Sequence, residues 1–208
     1  MKKILTLLLL VVVAPLFLFA QHAPMSFTKA SVSRDVPMVT MHVLDVATLM
    51  AEDEINMVGK LAPYKFGENI NVDLNLDNSG NWESLKKGRL WRLAIHSEAS
   101  FSLNFIFDDF FIPEGATLHL YGQDNTQILG PYTHQNNNQD RTFGTFPIPN
   151  DIVYLEYYEP FDVYGQGALS IGSVTHAYRD LFVYYDSSRG GLGGSGACNN
   201  NVNCPVGD

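Results

Sequence analysis

Residues 67–77 read GENINVDLNLD, and apolar and polar side chains alternate through them almost without a break. Ile70, Val72, Leu74 and Leu76 fall on one side of an extended backbone. Asn71, Asp73, Asn75 and Asp77 fall on the other. A period of two marks a half-buried strand, because successive side chains point to opposite faces of a sheet. The pattern then repeats. In LWRLAIHS, Trp91, Leu93 and Ile95 face one way, and in SFSLNFIFDDF so do Phe101, Leu103, Phe105 and Phe107. Leu118 and Leu120 pair up in IPEGATLHLYG, and TQILGPYT, RTFGTFPI, IVYLEYYEP and GALSIGSVTHAY complete the series. Turn signals separate these runs at intervals of about 8–12 residues, which argues for an all-β sandwich or barrel. Strict alternation suits antiparallel sheets with one wet face, and no helix-length segment lies between strands to build βαβ units. Prolines 113, 131, 147, 149 and 160 all sit at turns or strand ends, where a missing N–H does least harm. The expected fold is an antiparallel, jelly-roll-like β-sandwich over residues 67–186.

Upstream of the alternation the chain changes character twice. Residues 1–20, MKKILTLLLLVVVAPLFLFA, have a basic start, an apolar run and a small residue at Ala20, the layout of a secretory signal peptide cut at Ala20–Gln21. Pro15 interrupts the apolar run and argues against a membrane anchor. Residues 21–66 are expected to hold an extended leader and one short helix. In LDVATLMAEDEINMV, Asp45 can cap the helix, Leu44, Leu49 and Met57 form a stripe, and Glu52, Asp53 and Glu54 lie outside on a solvated face.

The formal net charge of −9 disfavours nucleic acid and anionic membrane surfaces as partners. A charged fraction of 17% fits an exported β-protein better than a helical cytosolic one. The six histidines, His22, His42, His96, His119, His134 and His176, share no metal-ligand spacing, so no metal or other cofactor is expected. His96 and His119 are expected to be exposed on their strands. Asp108 and Asp109 are neighbours on a strand and should point to opposite faces, which denies them a paired catalytic role. Tyr154, Glu156 and Tyr158 share a face, and an exposed aromatic row there would hint at glycan binding. Ser195 in GGSGA has no assignable base, and no phosphate loop or nucleophile elbow is present, so no catalytic residue is expected.

Residues 187–208 are Gly/Ser/Asn-rich and too poor in apolar side chains to offset the entropy of ordering. They carry the two cysteines, Cys198 and Cys204. SGACNNNVNCPVGD resembles the start of the mature domain in bacterial lysyl endopeptidases and their trypsin-like relatives, through Ser195, Gly196, Cys198, Cys204, Pro205, Gly207 and Asp208. The body resembles the pro-region of the same family. It shares Gly80-x-Trp82, a second tryptophan at Trp91, the run Ser100-Phe101-Ser102-Leu103, and Pro113-x-Gly115-Ala116-x-Leu118-x-x-Tyr121. The likeness spans roughly residues 35–208. It implies signal, pro-domain and the first residues of a serine protease domain whose His, Asp, Ser triad is not in this sequence. It implies disulfide partners for Cys198 and Cys204 further along, and the cognate protease domain as partner of a monomeric pro-domain. Between the sandwich and Cys198 the basic residue is Arg189, so Arg189–Gly190 is the expected processing bond. The alternative is a stand-alone secreted sandwich used for adhesion or glycan binding.

Overall fold

The computed structural model describes residues 23–56 and 64–182. Its ten strands are β1 (Met38–Thr40), β2 (Gly67–Asn75), β3 (Asn81–Leu85), β4 (Gly88–His96), β5 (Ser102–Phe111), β6 (Thr117–Gly122), β7 (Ile128–Tyr132), β8 (Phe143–Gly144), β9 (Ile152–Pro160) and β10 (Ala168–Ala177). One sheet runs β1-β4-β9-β6-β7, with β3 on the same edge of β4 as β1; the other runs β2-β10-β5-β8. Without β1 and β3, the two four-stranded sheets have the interleaved order of a jelly roll, as expected from sequence. All ladders are antiparallel except β1 with β4.

The alternation places the core. Trp91, Leu93, Ile95, Leu118, Leu120, Val153, Leu155 and Tyr157 from one sheet meet Ile70, Leu103, Phe105, Phe107, Leu169, Ile171 and Val174 from the other. Phe101 precedes its strand and is half exposed, so the inward row of β5 begins at Leu103. β5 also breaks its own alternation. Asp109 pairs with Ser170 and Phe107 with Ile171, leaving Asp108 as the extra residue of a bulge. Phe107 and Phe110 therefore both enter the core. Asp108 lies against Gly172 and Asp109 pairs with Arg141, so a simple opposite-face placement does not hold for these two carboxylates.

The segment NSGNW is more than a turn. Its second half opens β3, and Gly80 makes the reversal at φ +70°, with the space for a Cβ taken by the Arg92 carbonyl and the Trp91 ring. RTFGTFPI, by contrast, forms a strand of only two residues.

The leader is not merely extended. It forms a short helix, α1 (Met25–Thr28), which with the residues after it packs on the outer face of the β4-β9-β6 sheet and buries Val32, and then β1, which pairs along the edge of β4 and leads Met41 into the core between the sheets. The longer helix, α2 (Val46–Asn56), begins where Asp45 accepts hydrogen bonds from the Thr48 N–H and hydroxyl, at 3.1 and 2.8 Å. Its buried residue is Asp53, not a leucine. The Tyr178 hydroxyl donates to Asp53 at 2.7 Å and Arg179 pairs with it at 2.9 Å. Asp53 was expected in solvent; it is instead the clasp that joins the helix to the residues after β10.

Candidate functional site

Among the described residues, and besides the Asp53 clasp, polar side chains converge at the two open ends of the sandwich and on the outer face under the N-terminal segment. At the first end, Glu159 is fully buried between the sheets. Arg89 Nε and Nη2 both reach its Oε2 at 2.6 Å. The Gly165 and Gly167 N–H groups donate to the same carboxylate at 3.0 and 3.2 Å, and the Tyr157 hydroxyl donates at 3.3 Å. Burial first, and the adjacent Glu159 charge second, hold the Tyr157 phenol well above its usual pKa, so it stays a donor. The guanidinium is stacked between Trp82 and Tyr164, 3.7 and 3.8 Å from the ring centroids. A cavity of about 330 Å³ adjoins this cluster, lined also by Asn75, Asp77 and Asp109. Both faces of the guanidinium and every Glu159 oxygen are already engaged, so the cluster serves as a plug for the core.

At the opposite end, Ser97 Oγ and His176 Nδ1 lie 2.7 Å apart. The pair has the elements of a nucleophile and base, and no sequence spacing announces it. Both residues are almost completely buried, and His176 Nε2 has no hydrogen-bond partner. Burial lowers the His176 pKa, keeping the ring neutral. A hydroxyl enclosed this way presents no face to a substrate, so the pair is a core hydrogen bond.

The third place is the outer face. Tyr154, Glu156 and Tyr158 do share a side of β9, opposite the core residues Val153, Leu155 and Tyr157. The row is not an open aromatic surface, however. Glu156 is 1% exposed. It accepts from the Met25 N–H, from the Ser26 N–H at 3.3 Å and from the Tyr121 hydroxyl at 3.4 Å. Phe27 packs edge-on against Tyr121, which stacks on Tyr154. His119, expected in solvent, is 4% exposed, because the N-terminal segment covers this face. His119, His134, Glu114 and Glu156 line a cavity of about 530 Å³ with Ala23 and Met25 on its rim. His96 is partly exposed, 3.9 Å from Asp151, and His42 is exposed. No cluster of three metal-ligating side chains occurs among the described residues.

The sequence-derived processing residues Ala20, Gln21, Arg189 and Gly190, together with His22, Met57, Ser195, Cys198 and Cys204, lie outside the described residues. No helix among the described residues is long and apolar enough to cross a membrane.

No protein-family model matches the chain. Among solved structures, the chain is similar to a family 35 carbohydrate-binding module from an environmental isolate, at 16% identity, with 55% of this chain and 87% of that chain covered and a TM-score of 0.22. At that TM-score the likeness assigns neither a ligand nor a site.

Proposed function

We propose that this chain is the exported pro-region of a trypsin-like, Lys/Arg-specific serine endopeptidase, carrying the first residues of the protease domain at its C-terminal side. The supporting observation is where the residues shared with lysyl endopeptidase pro-regions sit. Gly80 makes the turn into β3, Trp82 and Trp91 donate to the Leu76 and Ser79 carbonyls at 3.1 and 2.7 Å, and Leu103, Ala116 and Leu118 are core. Tyr121 holds the N-terminal segment. The shared residues are thus the ones that close this sandwich, and the two-cysteine segment follows the last strand in sequence. The role is to assist folding of the protease domain and to mask it until cleavage after Arg189. Non-local β topologies fold slowly, which gives a template its use, and a folded sandwich inhibits by burying an interface.

The test is direct. The coding DNA should continue past the Asp208 codon into a protease domain with its triad. The chain from Gln21, added in trans, should raise the refolding yield of that domain or slow its hydrolysis of a lysyl ester. N-terminal sequencing of the mature enzyme should begin at Gly190. A stop codon after Asp208, or no effect in trans, overturns the reading. Retention on a glycan array would then favour the adhesion or glycan-binding alternative.

A further inference from the structure

In an acidic chain, most described basic side chains are neutralised locally. Lys65 pairs with Glu68, Arg89 with Glu159, Arg92 with Glu83, Arg141 with Asp109 and Arg179 with Asp53. Lys29, Arg34, Lys86 and Lys87 are exposed and outside these pairs, and of the four only Lys86 and Lys87 sit together on one hairpin. They form the two-residue tip of the β3–β4 hairpin, closed by the Leu85–Gly88 pair.

This tip is held firmly. The Lys87 carbonyl accepts from the Tyr158 hydroxyl at 3.1 Å and from the Phe161 N–H at 3.4 Å. Gly88 lies so close to β9 that an added Cβ would come within 2.4 Å of the Glu159 carbonyl. The next residue, Arg89, is clamped by Trp82, Tyr164 and Glu159. The far edge of β3 pairs with no described strand, leaving an extended segment open to strand addition beside the two lysines. A preorganised cationic turn at the end of an open strand edge offers what a protease that cuts after a basic residue recognises: a cation for the carboxylate of its specificity pocket and, in β3, a strand for its cleft.

We infer that the Lys86–Lys87 hairpin tip is the docking element of this domain, inserting a lysine into the acidic specificity pocket of its protease. The inference rests on the pro-region reading. It also satisfies the chain geometry. The tip and the exit of the chain after Phe182 lie at opposite ends of the sandwich, a separation of about 30 Å for nine-residue strands. The stretch 183–197 can span up to about 50 Å, enough for the following domain to reach the tip.

The experiment adds the chain from Gln21 to the protease domain encoded with it. It follows lysyl ester hydrolysis and displacement of p-aminobenzamidine, a fluorescent occupant of the specificity pocket. The double variant K86Q/K87Q should inhibit at least about 30-fold more weakly than wild type and fail to displace the probe, as expected for loss of a docked charge. K29Q, an exposed lysine elsewhere, should behave as wild type, and all three should share one thermal midpoint. If wild type and K86Q/K87Q inhibit and displace equally, the hairpin assignment falls while the pro-region reading stands. If wild type itself has no effect, the pro-region reading falls.

Discussion

His176 lies in an environment that its sequence context does not announce. It sits in a run of small and β-branched residues, and nothing in that run signals a sealed ring. In the fold it is 2% exposed, bonded to Ser97 and held neutral by burial. Its folded pKa is depressed, so the unfolded chain binds the extra proton. The stability this neutral ring contributes is complete above the unfolded value near 6.5 and is lost as pH falls below it toward the folded pKa. Within that window the loss approaches about 1.4 kcal/mol per pH unit for one proton. Thermal midpoints measured from pH 8 to pH 5 should therefore fall more steeply for wild type than for His176→Asn. Parallel curves would show that the ring is not the group responsible.

Among the elements, α2 shows how a helix can be recognised from sequence and its docking face still be missed. The Asp45 cap and the helical stretch are legible in the residues, because capping is local chemistry. The acidic run Glu52-Asp53-Glu54 reads as a solvated face, because its partners, Tyr178 and Arg179, lie 125 and 126 positions away. Asp53→Ala strands the buried Tyr178 phenol and takes the carboxylate from the half-buried Arg179 guanidinium, and should cost about 2–3 kcal/mol in urea unfolding. Glu52→Ala, on an exposed position, should stay within about 0.5 kcal/mol. Equal effects of the two substitutions would remove the clasp. The outer row of β9 follows the same logic. Its faces are correctly read from the alternation. Its accessibility is decided by α1 and the residues around it, which fill the surface that Tyr154, Glu156 and Tyr158 otherwise offer.

For the whole molecule, this cover makes residues 23–36 part of the fold and not a dispensable leader. Arg92, His119, Tyr121 and Glu156 are buried on the sheet face against which these residues lie. A chain beginning at Pro37 would open that face and leave the Glu156 carboxylate without its two backbone donors. It should lose at least about 3 kcal/mol of stability and bind a hydrophobic dye. An unchanged thermal midpoint with no dye binding would show that the sandwich stands without the segment. The jelly-roll class, the inward rows of β2, β4, β6 and β9, and the helix start were determined by the sequence alone. Each depends on a period or a cap that acts within a few residues. Tertiary structure decided the rest: the burial of Asp53, Glu156, Glu159, His119 and His176, the bulge at Asp108, and the exposure of Lys86 and Lys87 at a rigid tip. Burial of a charge is a balance between desolvation and partners supplied by distant strands. That balance exists only after the sheets have closed.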